Sequence, residues 1–303
     1  MPDICEEIAA LKRERDAVIL AHTYQPGAVQ DCADYVGDSY GLSVEATRTT
    51  ASLIIFCGVR FMAETAAILN PTRSVILPEP LAGCPMADMI TAEELLELKA
   101  RHPDHLVMCY VNSTAEIKAL SDVCCTSSNA EKIARKLPPG RGIIFVPDRH
   151  LGSWVQERTG REMVLWDGFC PTHLRIEPGM IVEARKAHPD AEVLIHPEAT
   201  HECRALADAV LSTGGMCTHV AESSRSEFII ATETGILHTL EKNNPGKHFH
   251  AVSDGVVCPN MKRTSLLSVK HALMGVAGER ITVEKEIAAK ALGALEKMLE
   301  LGG

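Results

Sequence analysis

His188-Pro189-Asp190-Ala191-Glu192-Val193-Leu194-Ile195-His196-Pro197-Glu198 reads as a helix end, a short strand and a loop rich in ionisable groups. Proline cannot continue a helix, and the short apolar run Glu192 to Ile195 suits a strand. The same order stands 86 residues earlier, where His102-Pro103-Asp104 leads to Leu106-Val107-Met108-Cys109 and then Tyr110 and Asn112. It stands a third time near the start, where Asp16 precedes Ala17-Val18-Ile19-Leu20 and His22 and Tyr24 follow. Self-similarity at a fixed period marks a duplicated unit.

Other features keep that period. Three of the eleven cysteines precede proline, Cys84-Pro85, Cys170-Pro171 and Cys258-Pro259, and they lie 86 and 88 residues apart. A second strand set comprises Leu53-Ile54-Ile55-Phe56, Gly142-Ile143-Ile144-Phe145 and Glu227-Phe228-Ile229-Ile230. Between the sets an acid stands five positions before a hydroxyl: Asp34 and Ser39, Asp122 and Ser127, Asp208 and Thr213. Strand-like runs also lead toward the first two Cys-Pro pairs, at Ser74 to Leu77 and Glu162 to Leu165. Each unit therefore reads helix, strand, helix, strand, helix, strand, Cys-Pro. The capping pattern Thr91-Ala92-Glu93-Glu94 starts one helix, and Pro71 and Pro138 follow the ends of two others. Thr264 to Met274 and Thr282 to Leu301 read as closing helices.

The expectation is an α/β protein of three homologous α/β/α domains with parallel sheets, in a pseudo-threefold triangle around a central site. The domains are residues 1–84, completed by the helices of 260–303, then 85–171 and 172–259. Thirty basic against forty acidic residues give a net charge of −10, which offers no nucleic-acid footprint. No apolar run approaches a membrane span, and Met1 to Glu6 lacks the basic and apolar regions of a signal peptide. Both point to a cytoplasmic protein, where thiols serve as ligands, catalytic groups or core residues more often than as disulfides.

In parallel sheets, ligands gather at loops beyond the carboxyl ends of strands. Each Cys-Pro, each hydroxyl of the acid–hydroxyl pairs and each loop after a unit's first strand occupies such a position. One central site would then hold three thiolates, three hydroxyls and an acid/base set. Three cysteines without histidine suit an iron–sulfur cluster with one iron left open. No Cys-x-x-Cys supports a zinc ribbon, and His196, Glu198, His201 and Glu202 lack the His-Glu-x-x-His spacing.

Several segments carry a family resemblance. Ala21-His22-Thr23-Tyr24-Gln25, Ala33 to Ser39, Tyr110-Val111-Asn112, Cys125 to Ala130, His196-Pro197-Glu198, Phe228 to Ile236 and Cys258 to Lys262 resemble the quinolinate synthases, the A proteins of bacterial and archaeal NAD biosynthesis. The resemblance implies a transferase that condenses iminoaspartate with dihydroxyacetone phosphate into quinolinate, releasing phosphate and water. It implies a [4Fe–4S] cluster on Cys84, Cys170 and Cys258. It further implies substrate-binding positions at His22, Ser39, Tyr110, Asn112, Ser127, His173, His196, Glu198 and Thr213, with Glu198, Tyr24, His196 and Tyr110 catalytic. The implied partners are the two substrates and, transiently, the aspartate-oxidising enzyme that supplies iminoaspartate; no nucleic acid or membrane is among them. A hydro-lyase with an open cluster iron is the competing enzyme class, and an iron–sulfur sensor or carrier the competing non-enzyme. Three departures stand out. Ala199 replaces a common cysteine, Cys258 lacks a neighbouring thiol pair, and His150 stands where asparagine is expected.

Overall fold

The computed structural model describes residues 3–302, and the apolar runs become parallel strands. The first unit contains α1 (Ile4–Glu14), β1 (Ala17–His22), α2 (Gly27–Cys32), β2 (Tyr35–Gly37), α3 (Ser39–Arg48), β3 (Leu53–Cys57), α4 (Arg60–Leu69) and β4 (Ser74–Leu77). The second contains α5 (Ala92–Arg101), β5 (Leu106–Tyr110), α6 (Ala115–Ala119), β6 (Val123–Cys125), α7 (Ala130–Lys136), β7 (Ile143–Val146), α8 (Arg149–Thr159) and β8 (Met163–Leu165). The third contains α9 (Pro178–Ala187), β9 (Glu192–Ile195), α10 (His201–Arg204), β10 (Ala209–Val210), α11 (Thr213–Glu222), β11 (Glu227–Ala231), α12 (Ile236–Asn243) and β12 (His248–Ala251). The chain closes with α13 (Leu266–Met274), β13 (Glu279–Arg280) and α14 (Lys285–Gly302).

The three sheets share one strand order, β2-β1-β3-β4, β6-β5-β7-β8 and β10-β9-β11-β12, all parallel. Among the described residues only β13 breaks the pattern, pairing antiparallel with β4. Every residue of β3 and of β5 is buried, as expected for strands covered by helices on both faces.

Each unit thus has four strands rather than the three read from the sequence. The additional one, β2, β6 or β10, is an edge strand of two or three residues, too short for a periodic signal. The acid of each acid–hydroxyl pair anchors it. The backbone N–H groups of Ile19, Val107 and Val193 donate to Asp34, Asp122 and Asp208 at 2.8, 2.7 and 2.8 Å, each across fifteen residues. The N–H of each aspartate returns a bond to the carbonyl of the same partner. The periodic acid is a strand clamp.

The repeated His-Pro-Asp also has a structural explanation. His102 and His188 end α5 and α9 with φ −131° and ψ 63° or 71°, and Asn70 and Asn244, likewise before proline, end α4 and α12 with nearly the same angles. Proline pushes its predecessor out of the helical region, and the chain turns into the next strand. The carboxyl-terminal segment divides its packing. α13 lies on α1 and β3 and β13 joins the first sheet, whereas α14 packs on α6, β6 and α7 of the second unit as well as on α4.

Candidate active site

The carboxyl ends of all three sheets meet at one cavity of about 220 Å³, room for a small metabolite rather than a polymer. Its lining contains His22, Tyr24, Ser39, Cys84, Tyr110, Asn112, Ser127, Cys170, His173, His196, Glu198, Thr213 and Cys258, so every site residue expected from the sequence reaches one place. His201, by contrast, is exposed and pairs with Glu157, away from the cavity.

Each Cys-Pro opens a turn. The carbonyl of Cys84 accepts from Ala87 N at 2.9 Å, that of Cys170 from Leu174 N at 3.0 Å and that of Cys258 from Lys262 N at 3.3 Å. Proline presets the φ of the first turn position, and backbone N–H groups of Ala87 and His173 then point at the sulfurs of Cys84 and Cys170. Burial nonetheless pushes the Cys84 thiol up to about 12 and raises that of Cys170 well above its ordinary value. Thiolates here therefore need a cation to compensate them, and no other thiol lines the cavity among the described residues. The donor set fits a metal centre held by three thiolates. A tighter grouping of Cys170, His173 and Glu198 also places one donor atom of each within 4.8 Å of the others.

Beside Cys170, whose Sγ lies 3.2 Å from His173 Nδ1, runs a hydrogen-bonded chain that crosses all three units. Tyr110 O–H donates to Glu198 Oε1 at 2.6 Å, and His173 Nδ1 meets Glu198 Oε2 at 2.6 Å. His173 Nε2 contacts Thr232 Oγ1 at 2.8 Å, which contacts the Tyr24 hydroxyl at 2.6 Å, which contacts Thr213 Oγ1 at 2.8 Å. Burial alone lifts the Glu198 carboxyl, but His173, His196 and the bond from Tyr110 outweigh it and hold Glu198 well below the carboxylate range. Burial raises both tyrosines well above their ordinary value.

The loops after β1 and β9 use one device. Tyr24 N donates to His22 Nδ1 at 3.1 Å, and Glu198 N donates to His196 Nδ1 at 3.3 Å. A ring nitrogen that accepts from a backbone N–H leaves the proton of the neutral imidazole on Nε2. Burial lowers both rings to about 3, with Lys262 adding to the effect at His22, so both stay neutral at physiological pH. They are neutral Nε2–H donors, and that of His196 lies 3.2 Å from Ser127 Oγ.

Ser39 and Thr213 open α3 and α11, but the helix caps are the residues before them: Asp38 accepts from Gly41 N at 2.8 Å and Ser212 from Gly215 N at 3.0 Å. Neither hydroxyl is spent as the cap. Asn112 Oδ1 is buried without a hydrogen-bond partner among the described residues, an acceptor left for a ligand. Gly214 is required because a Cβ there would meet the Asp38 carboxylate at 2.6 Å.

Four contributors escaped sequence reasoning. Thr232 and Glu233 follow β11, the same kind of position as the other site residues, which was the available signal. Glu233 accepts from Cys258 N at 3.1 Å and pairs with Lys262, whose Nζ also donates to the carbonyl of Tyr24 at 2.5 Å. Arg204 is buried and donates to the carbonyls of Pro197, at 3.3 Å, and Ala199, at 2.7 Å, on either side of Glu198. It also reaches the carbonyl of His150 and the side chains of Ser153 and Glu157 in the second unit, so the Glu198 loop is fastened across a unit boundary. Nothing local in the sequence marks it.

Three duplicated α/β units that share one small-molecule cavity, three thiols and an ionised carboxylate define a metal-centred enzyme class. A family model for quinolinate synthetase A protein matches residues 6–300. The chain is 51% identical over 298 residues to a quinolinate synthase of Dehalococcoides mccartyi strain CBDB1, covering 98% of each. It is 50% identical to those of Geotalea uraniireducens and Desulforudis audaxviator over 299 residues, covering 99% of this chain and 98% of each relative. The chain belongs to the quinolinate synthetase A protein family.

Proposed function

We propose that the chain forms quinolinate from iminoaspartate and dihydroxyacetone phosphate, releasing phosphate and water, with a [4Fe–4S] cluster on Cys84, Cys170 and Cys258. The observation that carries this reading is the meeting of one thiol from each unit with the Glu198–His173–Tyr110 group on a single buried cavity. When bound, the cluster supplies an iron free of protein ligands, a Lewis acid toward a substrate oxygen.

The side chains divide the remaining work. Ser39 and Thr213, at the starts of α3 and α11, together with Ser127, bind carboxylate or phosphate oxygens, helped by the nearby N–H groups. His22 and His196 donate from Nε2 to carbonyl or carboxylate oxygens, and Asn112 Oδ1 accepts from the imine nitrogen. Glu198, ionised and held at both oxygens, takes the proton released when the carbon–carbon bond forms. His173, Thr232 and Tyr24 continue the hydrogen-bonded path along which that proton leaves Glu198.

The division into residues 1–84, 85–171 and 172–259 is part of this reading, each unit giving one thiol and one hydroxyl. Iminoaspartate hydrolyses in water, so a transient contact with the aspartate-oxidising enzyme would supply it, and the setting is the cytoplasm. Among the described residues no helix is long and apolar enough to cross a membrane. Anaerobic incubation of the purified holo-protein with both substrates tests the proposal. Equimolar phosphate and quinolinate are expected; an unchanged mixture, or water loss without phosphate, overturns it.

A further inference from the structure

At the opposite ends of the third sheet's strands lies a second group of histidines around a glutamate. His188 ends α9, Glu227 begins β11, and β12 begins His248-Phe249-His250. His188 Nδ1 and His250 Nε2 lie 3.1 and 2.9 Å from the same oxygen, Glu227 Oε1, and the donor atoms of all three residues fall within 4.8 Å of one another. The two rings stack at 3.4 Å with 15° between their planes. His248 stands opposite Glu227 in the strand register and, two residues from His250, shares its face of the sheet.

The geometry points to a second metal site here: we propose that His188, Glu227 and His250 bind one divalent cation of the zinc, cobalt or nickel type, with His248 as the neighbouring fourth donor. Two imidazoles and one carboxylate form the nitrogen–oxygen donor set such ions take, with bonds near 2.0–2.2 Å. Both ring nitrogens lie within 3.1 Å of one oxygen, so an ion taking that place draws the stacked rings apart and turns their in-plane lone pairs toward it. Without an ion both ring nitrogens share one carboxylate oxygen. A bound cation lets both rings act as neutral ligands. The group faces away from the thiol-lined cavity, at the amino ends of the strands, and the ligands join α9 to β11 and β12. The ion therefore fastens the outer edge of the third unit and takes no part in turnover.

Cobalt(II) titration of the anaerobically purified holo-protein, read by absorption, tests this. The wild type is expected to bind one more cobalt per chain than the His188→Ala/His250→Ala variant, with ligand-field bands of nitrogen and oxygen coordination and no thiolate-to-cobalt charge-transfer band. Glu227→Gln, which keeps size and strand pairing, is expected to lose the same equivalent while quinolinate formation is unchanged in all three. Equal cobalt uptake by wild type and variants, or a thiolate band accompanying the additional ion, overturns the proposal.

Discussion

The two ends of the third sheet carry nearly the same trio in different surroundings. At the carboxyl end, Glu198 lies between His173 and His196, whose rings stack at 4.6 Å, and the side chains of all three are about 3% exposed. At the amino end, Glu227 meets His188 and His250, and those side chains are 33%, 33% and 28% exposed. Burial removes water from the first group: it lowers His196 to about 3, whereas at Glu198 His173 and the bond from Tyr110 outweigh it and keep the carboxylate ionised beside Cys170. Glu227 is also lowered, chiefly by its bond from His250, but in reach of solvent. The same side chains are thus tuned by desolvation when enclosed and stay in reach of solvent when left open.

The largest contrast comes from the thiols. Cys170→Ser removes one of the three thiols from the enclosed end, and on the proposed reading iron content and turnover should fall together to background in anaerobic preparations. Retained iron with full turnover would detach the thiols from the chemistry. Next, Glu198→Gln should lower kcat about 10²- to 10⁴-fold, the range of a positioned acid/base group, whereas Glu227→Gln leaves it unchanged. Equal effects would erase the distinction between the two ends.

Arg204→Met tests how the enclosed end is held. Loss of the bonds to Pro197 and Ala199 frees the Glu198 loop, and kcat should fall about 10²-fold, the scale of a misplacement of about an ångström. Arg204→Lys should recover only part, because an ammonium cannot span several carbonyls as a guanidinium does. A change in KM alone would make Arg204 a binding residue instead.

The smallest effect is in stability. Unfolded His196 takes up a proton below pH 6.5, whereas the folded ring does so only near 3. Stability therefore rises with pH across that window and is lost on acidification, by about 1 kcal/mol per pH unit for this residue. Urea midpoints between pH 6.5 and 5 should fall less steeply for His196→Gln than for wild type. Parallel slopes would mean that the ring is charged in the folded protein.

Much of the site was legible because duplication writes the same chemistry three times. Cys84, Cys170 and Cys258, and Ser39, Ser127 and Thr213, are found by spacing, and the cavity contains all six. The repeated acids Asp34, Asp122 and Asp208 were equally visible, but their work as strand clamps appeared only once the edge strands were known. Thr232, Glu233, Lys262 and Arg204 have no counterpart that draws the eye; Thr232 acts through the side chains of Tyr24 and His173, the others through bonds to backbone atoms. The histidine at 150 has no structural explanation, since the carbonyl that accepts from Arg204 would be there with asparagine too.

The sequence by itself determined the repeat, the parallel strands, the helix ends at His102-Pro103 and His188-Pro189, and the three thiols. These depend on local stereochemistry and on periodicity, which a chain carries in its order of residues. Only the tertiary structure decided that Tyr110, Glu198, His173, Thr232 and Tyr24 form one chain of hydrogen bonds across three units, and that His22 and His196 are neutral donors. Those properties come from burial and from partners as far as 208 positions away, as between Tyr24 and Thr232. Desolvation and long-range contact exist only once the sheets have met.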